Sequence, residues 1–153
     1  MKQTFAFAAL LAVIALASCT KEPQKTVVEE KTDTELIVSG IWKSGETINL
    51  DRHLVVPAGE SLTIEPGVTV IVNTNGVGVN HVPVEISVKG NLYALGTESS
   101  PVVFTVEATQ RTESNAVKGL WGGIVAYESC AELALDHVVI EYSGAQVIEG
   151  PPA

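Results

Sequence analysis

Aromatic side chains are scarce in this chain, 5% of 153 residues, and charged ones reach only 18%. Positive charge is the scarcer sign: nine Lys and Arg stand against 18 Asp and Glu, a formal net charge of −9. A nucleic-acid binder needs a basic face to displace counterions from phosphates, so that class of partner is excluded. No segment sustains a 3.6-residue apolar period, which argues against a helical bundle. The longest uninterrupted apolar run, Phe5 to Ala17, has 13 residues. As a helix it spans about 20 Å, short of a roughly 30 Å hydrocarbon core, so it reads as a signal h-region and not as a transmembrane anchor. The three His follow no ligand spacing such as His-x-x-x-His. Gly76-Val-Gly78 lacks the third Gly and the following helix of a dinucleotide loop. No metal and no cofactor is expected.

What the chain has in excess is β-branched residues: Val occurs 22 times, Ile 10 and Thr 13, together 45 of 153. Such side chains favour strands, and the length suits one domain. Short apolar runs punctuated by Gly, Pro and Asn predict strands at Glu35–Val38, Ile48–Leu50, His53–Val56, Ser61–Ile64, Thr69–Val72, Val84–Val88, Leu92–Ala94 and Val102–Val106. Gly123–Ala126, Glu132–Leu135 and His137–Tyr142 complete the set. Leu62-Thr63-Ile64, Val70-Ile71-Val72 and Ile86-Ser87-Val88 alternate with period two. The pair Leu62/Ile64 is echoed 24 residues later by Ile86/Val88. A repeat of that size, three short strands and three turns, is one coil of a parallel β-helix, in which aliphatic residues stack as continuous ladders. A β-sandwich is the competitor, and it would favour hairpin signals. The one such dipeptide, Asn75-Gly76, falls in the polar stretch Asn73–Pro83 and reads as a loop projecting from a coil. Glu107–Lys118 reads as a second excursion.

The N-terminus carries an address. Lys2 precedes the apolar run, and Leu16-Ala17-Ser18-Cys19 closes it. These four residues resemble the lipobox of bacterial lipoproteins. The resemblance implies that residues 1–18 are removed, that the Cys19 thiol takes a diacylglycerol, and that a further acyl chain makes the anchoring stable. Thr20 after the Cys does not resemble an inner-membrane retention signal, which favours the outer membrane, with its face left open. Thr20 to Glu35 holds eight charged residues among 16. With little to bury, this segment is expected to act as a flexible tether. Residues 19–35 are therefore lipidated Cys and tether, and 36–153 the folded domain. With Cys19 acylated, Cys130 is left unpaired, and it is read as a small buried or turn-lining residue.

From Ser39 to Gly144 the chain resembles right-handed parallel β-helix proteins of the pectin-lyase-like kind, as found in lipoproteins of Bacteroidetes-type bacteria. Pro57-Ala-Gly-Glu-Ser-Leu-Thr-Ile-Glu-Pro-Gly67 resembles their entry coil. Val88-Lys-Gly-Asn-Leu-Tyr-Ala-Leu-Gly-Thr97 with Pro101-Val-Val-Phe-Thr105 resembles the second. Trp121-Gly-Gly-Ile124 and His137-Val-Val-Ile-Glu-Tyr-Ser-Gly144 resemble the next. The expected fold is all-β, a right-handed parallel β-helix of about four coils. Only Ala-Gln-Val-Ile-Glu-Gly-Pro-Pro-Ala follows Gly144, with no amphipathic capping helix, so the solenoid is expected to be incomplete there or covered by a partner.

The chemistry is sparse. β-helix lyases need a carboxylate cluster and a basic residue, and related hydrolases need converging aspartates. The body holds only Asp51 and Asp136, with Arg52 and Arg111 its arginines. Asp51-Arg52-His53 is its densest cluster and reads as a solvent-facing turn; Asp136-His137 reads likewise. Sugar binding needs exposed rings flanked by polar groups. Trp42, Tyr93 and Tyr127 are the candidate ligand-facing aromatics, while Trp121 is assigned to the core. The expected function is a non-catalytic module binding a polysaccharide or a surface protein. The alternative is the N-terminal part of a polysaccharide lyase or glycoside hydrolase with catalytic coils beyond residue 153.

Overall fold

A computed structural model describes residues 28–145. Its twelve strands are β1 (Val28–Lys31), β2 (Glu35–Trp42), β3 (Thr47–Leu50), β4 (His53–Val56), β5 (Ser61–Ile64), β6 (Thr69–Val72), β7 (Glu85–Val88), β8 (Asn91–Leu95), β9 (Val102–Val106), β10 (Gly123–Ala126), β11 (Leu133–Asp136) and β12 (Val138–Ile140). Among the described residues the only helical element is a 3-10 turn at Ala108–Gln110. The strands wind through three faces per coil. The first face stacks the start of β2, then β4, β7 and β10; the second stacks the end of β2, then β5, β8 and β11. The third stacks β3, β6, β9 and β12. All of these pairs are parallel, so each strand lies on its counterpart one coil earlier. The fold is a right-handed parallel β-helix, as expected, with four coils among the described residues.

Period-two alternation sends one side chain of each pair inward, where the register aligns it with its equivalents. On the first face Leu36, Leu54, Ile86 and Ile124 form one ladder, and Val56, Val88 and Ala126 another. On the second, Trp42, Ile64, Ala94 and Leu135 share a column, so the largest side chain is balanced by a small one two coils on. On the third, Ile48, Val70, Phe104 and Ile140 align. Leu54, Ile64, Val70, Ile86, Ala94 and Phe104 are all at most 1% exposed. Each fully buried large aliphatic contributes about 1.5–3 kcal/mol by removal from water, the principal term available to a fold with so few aromatics.

The apparent 24-residue echo is not the structural repeat. Leu62 pairs with Leu92, 30 positions on, and Leu54 pairs with Ile86, 32 positions on. Ile86 and Val88 therefore belong to the first face, and Leu62 and Ile64 to the second. The irregular coil length comes from two excursions, Asn73–Val84 after β6 and Glu107–Gly122 after β9, at the stretches where the polar composition placed them. The first is tied by an antiparallel bridge between Val77 and Val82, with Val77 buried against the core.

Three further expectations change. β1 lies in the segment read as a flexible tether, yet it pairs antiparallel with β2 from Val28↔Ser39 to Lys31↔Leu36. The free backbone edge of β2 supplies hydrogen bonds that composition does not report, and Thr32 closes the turn by accepting the Glu35 N–H at 2.9 Å. β2 also runs on to Trp42, bending at Gly40 to serve two faces. Trp42 is not ligand-facing: it is 2% exposed and part of the core. Its inward position in β2 follows from alternation with Ile41, and its indole Nε1 has no hydrogen-bond partner among the described residues. Trp121 is core as expected, its Nε1 donating to the Glu141 carbonyl at 2.8 Å. Cys130 is a free thiol among the described residues and is half-buried in the turn after Tyr127. The stretch read as a signal segment, Cys19 and most of the stretch read as a tether lie outside the described residues, as does the chain after Ala145.

Candidate binding groove

On the third face, β3, β6 and β9 end in register, with Leu50 on Val72 and Val72 on Val106. The next residue of each coil is polar: Asp51, Asn73 and Glu107. Because the coils are stacked strands, these three form a ladder with rungs about 4.8 Å apart. Both excursions leave the solenoid at this corner, between the third face and the first. They flank a groove of about 290 Å³ lined by Asn49, Leu50, Asp51, Ile71, Asn73, Asn75 and Glu107. Asn49 and Ile71 are register partners, so an amide and an aliphatic side chain lie next to each other on adjacent coils.

Local geometry holds the lining in place. The Asn73 N–H donates to the Leu50 carbonyl at 2.9 Å, extending the ladder one step past the strands. Asn73 Oδ1 accepts the Asn75 N–H at 2.9 Å, a side-chain turn that points the first excursion outward. His81 Nδ1 lies 2.9 Å from the Asn75 carbonyl. Gly76 between them is required: its φ is +74°, and a Cβ would meet the His81 carbonyl oxygen at 2.3 Å. Asp51 is held by Arg52, whose Nε and a terminal nitrogen donate to its two oxygens at 2.9 and 3.0 Å. Arg52 also donates to the Thr32 carbonyl, and its pKa is raised chiefly by the Asp51 hydrogen bond. Arg111 Nε donates to the Val106 carbonyl at 2.8 Å, anchoring the second excursion. No ion pair or side-chain hydrogen bond engages the exposed Glu107 carboxylate among the described residues.

Tyr93 and Tyr127 are brought to a different corner, between the first and second faces. Tyr127 follows β10, is 39% exposed, and carries the Lys89 ammonium 5.5 Å from its ring centroid. Tyr93 points outward from β8 and donates its hydroxyl to Glu132 Oε2 at 2.9 Å, which raises its pKa. The Glu132 N–H in turn donates to Asn91 Oδ1 at 2.9 Å, and Ser129 Oγ donates to the Lys89 carbonyl at 2.8 Å. Two half-exposed rings thus sit among fixed polar groups, while the third candidate, Trp42, lies inside.

The Asp51-Arg52-His53 cluster is a turn between β3 and β4, as read, but its members part company. Asp51 lines the groove, Arg52 braces it, and His53 lies on the first face, its Nδ1 accepting the Glu85 N–H at 3.2 Å. Asp136 and His137 pair with each other at 2.7 Å on the far coil. Asn49, Asn73, Asn75 and Glu107 were missed as lining residues. The available signal was a polar residue directly after each third-face strand, at the point where each excursion departs. Among the described residues no group of three His, Cys, Asp or Glu could hold a metal ion. The arrangement offers hydrogen bonds from amides and to carboxylates over an aliphatic floor, the chemistry of recognising a hydroxylated ligand.

Residues 34–132 match the family model of the pectate-lyase-like β-helix domain. No curated protein and no solved structure gives a significant match.

Proposed function

Since the chain belongs to the pectate-lyase-like β-helix family, a fold that hosts unrelated functions, we propose from its groove that it is a non-catalytic glycan-binding module of the cell envelope. The observation that carries the reading is the lining itself: three Asn amides and two carboxylates gathered at one corner of the stacked strands, with the half-buried Ile71 as an apolar floor. Amides both donate and accept, which matches sugar hydroxyls, and the floor suits the C–H face of a ring. Rigid strands position these groups at little entropic cost on binding. Tyr93 and Tyr127 would add stacking surfaces for a longer chain at the neighbouring corner. The lipobox-like Leu16–Cys19 supports attachment through an acylated Cys19, at the outer membrane.

The test is a glycan array probed with the form starting at Thr20. Binding to a polysaccharide that falls at least tenfold in Asn73→Ala or Asn75→Ala, without release of new reducing ends, is the expected result. Absence of binding across diverse polysaccharides would sink it. Release of reducing ends would instead favour the lyase or hydrolase alternative.

A further inference from the structure

The groove's charge goes further than its shape. Resting on the glycan-binding reading, we infer that the ligand is an amine-bearing sugar and that uronates, the acidic sugars suggested by the family description, are rejected. Among the described residues the lining holds two carboxylates and no cation. Of the two arginines nearby, Arg52 is turned toward Asp51 and the Thr32 carbonyl, donating three of its five N–H groups there, and Arg111 Nε donates to the Val106 carbonyl. Neither side chain lines the groove. An acidic sugar entering there meets the Glu107 carboxylate with no guanidinium or ammonium in the lining to receive its own.

Asp51 and Glu107 differ in a way that decides the ligand's orientation. Asp51 is already neutralised by the two hydrogen bonds from Arg52, so Glu107 is the carboxylate that sets the charge preference. Glu107 lies two coils away, about 10 Å along the stack, and has no cationic partner among the described residues. A bound neutral sugar would cover this carboxylate and strip its water without returning a counter-charge. An ammonium group replaces the lost hydration with a charge-assisted hydrogen bond. Asn73, between the two, has its Oδ1 taken by the Asn75 N–H, which leaves its amide nitrogen to donate to a ring or hydroxyl oxygen. The order of affinity is therefore amine-bearing, then neutral, then acidic.

Calorimetry on the full-length protein in detergent micelles would compare three probes of equal length: a glucosamine tetramer, its N-acetylated form, and a galacturonate tetramer. The expected result is at least tenfold tighter binding of the amine than of the acetylated tetramer, with no binding of galacturonate. Glu107→Gln should reduce the amine-to-acetyl ratio to within threefold. Glu107 is exposed and follows a strand, so this substitution does not threaten the core. Equal affinity for the amine and acetylated probes overturns the inference and leaves glycan binding standing. Galacturonate binding as tightly as the amine, or a preference that survives Glu107→Gln, also overturns it. If no probe binds in this assay and the glycan array is blank, both readings fall.

Discussion

Glu65 is a residue whose charged form the fold favours. Its carboxylate accepts the Ser44 N–H at 2.9 Å, the main cause of its lowered pKa, with Lys43 Nζ at 3.3 Å the lesser one. A carboxyl whose folded pKa lies below its unfolded value, about 4.3, adds stability that is complete above that value. The contribution fades as pH falls through the folded pKa. Glu65→Gln should therefore lower the melting temperature at pH 7 by a few degrees, for a loss of about 0.5–1 kcal/mol after allowing for solvent screening. Melts repeated near pH 3 should show the gap between variant and parent closing; a gap that persists would mean the effect is not electrostatic. Pro66 and Gly67 made this turn legible as a turn. Which partner the Glu would meet was not, because Ser44 lies 21 positions earlier and reaches it only through the stacking of coils.

At the scale of elements, the close contact between coils is most exacting at Gly90, in the turn from β7 to β8. A Cβ there would lie 2.2 Å from both the Pro57 and Glu60 carbonyl oxygens, backbone atoms of the coil below. Gly90→Ala should cost about 2–3 kcal/mol by forcing the backbones apart, read as a drop in the urea midpoint with unchanged slope. Gly59→Ala is the matched control: its added methyl meets nothing within 4 Å, so only the positive φ of +79° penalises it, at about 1–2 kcal/mol. If the two variants lost equal stability, close packing would not be what Gly90 serves. Strands such as β5 and β6 were legible because alternation with one aliphatic side is a local property. β1 was not, since a charged segment joins a sheet only when an edge is offered to it. Nor was the C-terminal half of β2, where Gly40 interrupts the pattern that Ile41 and Trp42 resume.

At the scale of the whole molecule, a solenoid's stability is a sum over neighbouring coils, and burial is uneven along this one. Phe104 in the third coil is 1% exposed, whereas Leu135 and Ile140 in the fourth are 43% and 41% exposed. Phe104→Ala should cost about 3–5 kcal/mol and Leu135→Ala well under half of that, measured by equilibrium unfolding. Amide exchange should follow the same gradient, with β4 to β9 best protected and β10 to β12 exchanging sooner. Uniform protection across all four coils would contradict it. The all-β class was determined by the sequence alone, because aliphatic alternation in three- to five-residue runs marks strands; the resemblance to β-helix proteins chose the solenoid over a sandwich, and polar composition marked where the two excursions leave. Register was not so determined, since many of the Val and Ile pairs are interchangeable and a 24-residue echo outweighed the true spacings of 30 and 32. Only the stacked structure decided that Trp42 turns inward, that Tyr93 and Tyr127 share a corner, and that Asp51, Asn73 and Glu107 face one groove. Residues 22 and 34 positions apart become neighbours when coils pair in register, and no local pattern in the chain records that distance.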